Sequence, residues 1–165
     1  MNLQLFQNLL CSMYLTCNTY GVIIPLFLAQ LFSLVFEKML FLSFKKEAKA
    51  KISQMEQLKV IAITASYGKT SIKNFLAQIL SSKFSVYATP RSVNTLGGII
   101  KDINEDLPTI TQVYIVEAGA RAKGDIDEIA TLVEPHIAVV GKIGEQHIEY
   151  FKTLENIRNT KMEMI

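Results

Sequence analysis

The sequence has 165 residues, 50% of them hydrophobic, with two cysteines and a formal charge of +2. That length suits one domain with an appendage, and the near-neutral charge singles out no partner; no nucleic-acid motif or basic–aromatic stripe is present. Cys11 and Cys17 both lie in an apolar segment without metal-ligand spacing to a histidine, so they read as small apolar side chains in a reduced compartment, not as a disulfide framework.

Residues 1–36 carry no charged side chain. A membrane-spanning helix needs roughly 20 mostly apolar residues, and Tyr20 to Phe44 meets that length, interrupted only by Glu37 and Lys38. Pro25 is tolerable near the start of such a helix. Met1 to Thr19 is also uncharged, but Asn2, Gln4, Gln7, Asn8 and Asn18 make it a weaker second span. No basic stretch precedes the apolar run, which argues against a cleavable signal peptide. Residues 1–44 are therefore read as a transmembrane segment of one or two helices, and 45–57 as a basic linker. Lys45, Lys46, Lys49 and Lys51 would lie on the cytoplasmic side of the inner membrane, placing 45–165 in the cytoplasm. A buried or interfacial hairpin in a soluble protein is the alternative.

From residue 58 the pattern changes. The run ending in "VIAIT" (60–64) has the continuous apolar character of a buried parallel strand, and Ile72, Phe75, Leu76, Ile79 and Leu80 then recur at helical spacing over 70–82. "FSVYAT" (84–89), "QVYIVEAG" (112–119) and "HIAVVGKIG" (136–144) read as three further strands. "TPRSVNTLGG" (89–98) is a loop ending near a helix start. "GDIDEIATLV" (124–133) is a short helix with acidic residues in its first turn, as the helix dipole favours, and "TLENIRNTKMEMI" (153–165) begins another. The alternation predicts an α/β fold with a parallel, doubly wound sheet flanked by helices over 58–165. Ligands in such sheets bind at the carboxyl ends of the strands. Lys69, Asn94, Glu117 and His147 each follow one of the four strands, which suggests a single site.

"TASYGKTS" (64–71) has the layout of a phosphate-binding loop: backbone N–H groups at a helix start, Gly68 for close approach, Lys69 to neutralise phosphate charge, and Thr70 to offer a hydroxyl to Mg²⁺. The strict pattern wants glycine at position 63, where Ile63 stands. Glu117 closes an apolar strand, and a carboxylate there suits Mg²⁺; the plain alternative is a solvated glutamate. His147 alone could be a loop histidine satisfied by backbone, and His136 is read that way.

Four segments together resemble the Mur ligases, most closely the MurF type, which adds D-alanyl-D-alanine to the peptidoglycan precursor. "TASYGKTS" is similar to that family's T-G-x-x-G-K-T loop, which assigns Thr64, Ala65, Ser66, Tyr67, Gly68, Lys69, Thr70 and Ser71 to ATP. "TPRSVNTLGG" is like the loop carrying an asparagine toward Mg²⁺ and substrate, here Asn94. "EAGARAKGDI" looks like E-x-G-A-x-x-x-G-[DE]-I, assigning Glu117 to Mg²⁺. "IGEQHIEYFKTLENI…TKMEM" resembles the stretch with a metal-associated histidine, His147, and a lysine that the family carbamoylates, which falls at Lys161. The resemblance thus implies Thr70, Glu117, His147 and Lys161 around metal, and Lys69, His147 and Lys161 as catalytic. It also implies a UDP-linked muramoyl peptide and D-alanyl-D-alanine as substrates.

The implied reaction is physically sensible. A carboxylate is a poor acylating agent, so ATP would convert it to an acyl phosphate for attack by an amine, mostly by positioning and charge neutralisation. Departures from the pattern are Ala65 for the usual glycine, Arg91, Ser92 and Thr95 around Asn94, Ile100 where proline is common, and Met162 where a small residue is usual. Ala65 is expected to be tolerated if its φ is negative. A full ligase of the family resembles three domains, so this chain is expected to be an N-terminal fragment, inactive alone. The other readings are a folylpolyglutamate synthase-like ligase, a P-loop partition-type ATPase, or a non-enzymatic membrane-bound remnant.

Overall fold

The computed structural model describes residues 3–90 and 93–165, with the side chains of 3–6 and 17–19 outside the description; Arg91, Ser92 and the Cys17 side chain therefore fall outside the described residues. Two units separate at Leu42/Ser43. In the first, helix α1 (Leu3–Gln54) carries Pro25 within it, although a proline removes one helical hydrogen bond. Up to residue 42 its described apolar side chains are exposed, Phe32 at 74% and Leu26 at 64%. Among the described residues it is the one helix long and apolar enough to cross a membrane.

The second unit is built on four parallel strands, β1 (Lys59–Thr64), β2 (Val86–Ala88), β3 (Val113–Glu117) and β4 (Ile137–Val140), in the order β2-β3-β1-β4. Register pairs include Val86 with Val113, Ile63 with Glu117, and Thr64 with Val140. The chain leaves β1, winds out to β2, returns through β3, and crosses to β4 on the other side of β1. The order of strands thus reverses around β1, and a ligand crevice opens at the carboxyl end of such a reversal.

Side chains on β1 and β3 alternate between faces. Val60, Ala62, Tyr114 and Val116 enter the larger core, with helices α3 (Leu96–Glu105), α4 (Asp125–Val133) and α6 (Leu154–Met162). Ile61, Ile63, Val113 and Ile115 face Ile72, Leu76 and Leu80 of α2 (Lys69–Leu80). Both faces of these strands are apolar because both are covered. Edge strand β4 is less protected: Ile137 is 55% exposed, and on α2 Phe75 and Ile79 are also exposed.

Residues 43–54, the last turns of α1, belong to this unit. Ala48 is fully buried in the larger core. Lys51 Nζ donates to the carbonyls of Ile103 and Asn104 at 2.6 and 3.3 Å, near the C-terminus of α3, and Lys49 pairs with Glu134 at 2.7 Å, just past α4. Cations are favoured at helix C-termini, so two of the basic residues placed in a linker bind the α/β unit itself. A second polar network sits inside: buried Asp102 accepts from Tyr87 Oη and Tyr114 Oη, both at 2.8 Å.

Candidate nucleotide site

The loop between β1 and α2 turns on Gly68, whose φ of 80° is left-handed and favours glycine. Ala65 needs no such conformation. Among the described residues, positive φ outside glycine is confined to Glu134, His147 and Lys152. The Ala65 methyl is buried, and its room comes from Gly141, where an added Cβ would lie 2.8 Å from it. Ser66 ties the loop to the segment after β4: its Oγ donates to Gly144 O and accepts from Gly144 N, each at 2.9 Å, and its N donates to Lys142 O at 2.8 Å.

Lys69 Nζ donates to Ala65 O at 2.7 Å and to Gln146 Oε1 at 3.5 Å. Burial pulls the Lys69 ammonium below its ordinary pKa, and the Glu117 charge partly restores it. Lys161 Nζ reaches the same Ala65 carbonyl at 3.2 Å. It is 95% buried beside a second ammonium; burial first and Lys69 second bring it down to about 8.

Glu117 is held by three groups. Thr70 Oγ1 donates to its Oε2 at 3.0 Å, Lys73 Nζ lies 3.1 Å from the same oxygen, and its backbone N donates to Thr89 Oγ1 at 3.2 Å. Asn94 is fixed by its backbone: Gly119 N donates to Asn94 O at 2.8 Å, and a Cβ on Gly119 would come within 3.1 Å of that oxygen. The glycine two residues after Glu117 thus permits a close approach of two strand-end loops.

These side chains line two cavities. The first, about 430 Å³, is walled by Ser66 to Ser71, Asn94, Glu117 and Gln146. The second, about 380 Å³, includes Lys69, Asn94, Gly119, Arg121, Gln146, His147 and Lys161. Lys69, Asn94 and Gln146 line both. Thr64 and Ala65 are buried and line neither, and Thr64 Oγ1 has no hydrogen-bond partner. The four residues expected around metal divide: Thr70 and Glu117 in the first cavity, His147 and Lys161 in the second. His147 has φ 62° and starts the short helix α5 (Ile148–Phe151).

Among the described residues no group of three or more His, Cys, Asp or Glu could hold a metal ion. A Glu–Thr oxygen pair still fits Mg²⁺, which takes one or two protein oxygens and completes its octahedron with phosphate and water.

The Mur ligase middle domain matches residues 63–165. The chain belongs to the Mur ligase family. It is 36% identical over 106 residues to the UDP-N-acetylmuramoyl-tripeptide–D-alanyl-D-alanine ligase of Rickettsia prowazekii, covering 64% of this chain and 23% of that protein. Identity is 33% over 107 residues to the Bacillus subtilis ligase of the same name, with shares of 65% and 23%. Among solved structures, MurF from Thermotoga maritima in complex with ADP superposes with a TM-score of 0.72 at 34% identity, covering 76% of this chain and 29% of that one. MurF from Acinetobacter baumannii gives 0.72 at 33%, with shares of 75% and 27%. This Mur ligase chain therefore spans about a quarter of the curated relatives it matches.

Two site residues escaped sequence reasoning. Lys73, in "SIKNFL", is given no role by the sequence motifs, but it sits one helical turn beyond Lys69, on the same face, and reaches Glu117 at the strand ends. Gln146 adjoins His147 and was masked by it.

Proposed function

We propose that this chain carries the ATP-binding part of a MurF-type amide ligase of peptidoglycan precursor synthesis. The observation that carries the reading is the convergence of the Gly68–Lys69–Thr70 loop, Glu117, Asn94 and Lys161 on two adjoining cavities at the strand ends. The ADP complex of the similar Thermotoga protein supports ATP as the nucleotide.

In this reading the first cavity receives the ATP phosphates. Backbone N–H groups at the start of α2 bind phosphate oxygens, and Lys69 neutralises their charge. Thr70 and Glu117 would hold Mg²⁺, which when bound stabilises charge on the transferring phosphoryl group. A carboxylate of a UDP-linked muramoyl peptide attacks the γ-phosphorus, giving an acyl phosphate and ADP. The amine of D-alanyl-D-alanine then attacks the acyl carbon, and an amide forms as phosphate leaves. The second cavity, with Asn94, Arg121 and His147, is where the acyl phosphate and the amine meet.

Lys161 as a carbamate suits this centre. CO₂ adds to a neutral amine, and a pKa near 8 leaves a useful neutral fraction. The product turns two facing cations into an opposed pair. Residues 1–44 attach the chain to the inner membrane, with 45–165 on the cytoplasmic side; the exposed apolar side chains of α1 up to residue 44, and Lys45 and Lys46 further along the same helix, support this.

Thermal unfolding of the full chain in detergent micelles tests the assignment. A ligand at 100 times its Kd adds about 2.7 kcal/mol, which raises the Tm by several degrees for a domain of this size. ATP with Mg²⁺ should do so, and the muramoyl tripeptide should add a further increment. Stabilisation by neither contradicts the function.

A further inference from the structure

Lys73 has no role in the phosphate loop pattern, yet its side chain is 3% exposed. Its ammonium has three protons and three acceptors: Glu117 Oε2 at 3.1 Å, Thr89 O at 2.8 Å and Pro90 O at 3.4 Å. The Glu117 side chain is 5% exposed, so the pair is buried on both sides. Buried ion pairs are poor sources of stability, because desolvation offsets their attraction; a well-packed apolar pair would do as well. What Lys73 changes is the electrostatic state of one carboxylate oxygen, the oxygen that also accepts from Thr70 Oγ1 at 3.0 Å.

We propose that Lys73 is a positioning residue that serves as the resident counter-ion of Glu117, occupying the cation's place beside that carboxylate in the nucleotide-free chain. The inference rests on the nucleotide–metal reading of this cavity. Glu117 is then electrostatically quiet without nucleotide, and a divalent cation gains from it only when phosphate oxygens supply the rest of its shell. The same ammonium holds the carbonyls of Thr89 and Pro90, so neutralising Glu117 and fixing the start of the loop that leads to Asn94 are one function. A merely structural lysine would leave metal affinity unmoved.

The test uses the full 165-residue chain in detergent micelles at pH 8, with free Mn²⁺ followed by electron paramagnetic resonance. Without nucleotide, Lys73→Gln should bind one Mn²⁺ at least tenfold more tightly than the parent. Lys73→Arg should match the parent, and Lys73→Gln/Glu117→Gln should lose the gain. A gain that is absent, or that survives removal of Glu117, overturns the proposal. If Lys73→Gln does not fold, Glu117→Gln decides alone. It should change nucleotide-free Mn²⁺ affinity less than twofold but weaken Mn²⁺ binding tenfold or more with ADP present. A large loss without nucleotide overturns the counter-ion role. A parent that binds no ADP at all refutes the site reading instead, and that outcome is separately visible in the same titrations.

Discussion

Lys161 and Lys69 donate to one carbonyl, that of Ala65, at 3.2 and 2.7 Å. Burial of the Lys161 ammonium, and after it repulsion by the Lys69 ammonium on the same acceptor, bring its pKa from 10.5 to about 8. The unfolded chain keeps this proton up to its ordinary value. Between pH 8 and 10.5 the unfolded state therefore holds more protons than the folded one, and stability rises with pH through that window. At about 1.4 kcal/mol per unit of pKa difference, moving from pH 7 to 9.5 should add on the order of 2 kcal/mol from this group. Lys161→Met keeps an unbranched side chain one atom shorter, removes the charge and should lose that rise. The assay is denaturant unfolding of parent and variant in CO₂-free buffers at pH 7, 8.5 and 9.5, comparing slopes so that other titrating groups cancel. Added bicarbonate should stabilise the parent near pH 8 and leave the variant unchanged. Equal pH slopes in the two proteins would refute the reasoning.

Other outcomes follow from packing. Gly141→Ala puts a methyl 2.8 Å from the Ala65 Cβ and should cost about 1–3 kcal/mol by overpacking. Ala65→Gly alone should cost below about 1 kcal/mol, and the double variant should recover most of the Gly141→Ala loss; additive costs in thermal unfolding would contradict this close contact. Asp102→Ala leaves the hydroxyls of buried Tyr114 and half-buried Tyr87 without their acceptor, and should cost at least about 1–3 kcal/mol, the figure for one buried unpaired group. Adding Tyr87→Phe to Asp102→Ala should return part of that loss, which a double-mutant cycle measures.

The parallel sheet was legible because β1 and β3 are apolar on both faces, a pattern that a half-exposed strand would not show. Helix starts near the end of "TPRSVNTLGG" and within "TLENIRNTKMEMI" were legible from the pattern, while the caps are a finding of the structure: the side chains of Thr95 and Thr153 accept from Gly98 N and Asn156 N. The departure at Ala65 could not be judged from the loop alone, since the space for its methyl comes from Gly141, 76 positions away in the chain. Lys73 was missed because a lysine on an amphipathic helix is ordinarily solvated, and only the pairing of Ile63 with Glu117 puts a carboxylate opposite it. Lys49 and Lys51 followed an apolar segment and were read for membrane charge, whereas the ends of α3 and α4 claim both. The division of Thr70 and Glu117 from His147 and Lys161 is likewise a matter of which cavity each reaches, not of order along the chain.

The central claim is that the loop from Thr64 to Ser71 holds nucleotide phosphates through Lys69. Equilibrium binding of a fluorescent ADP analogue to the full chain in micelles, with Mg²⁺, tests it most directly. The account predicts saturable one-site binding by the parent, displaced by ATP, and a loss of at least tenfold in affinity, about 1.4 kcal/mol, for Lys69→Ala. Equal binding by parent and variant, or no binding by either, would contradict it.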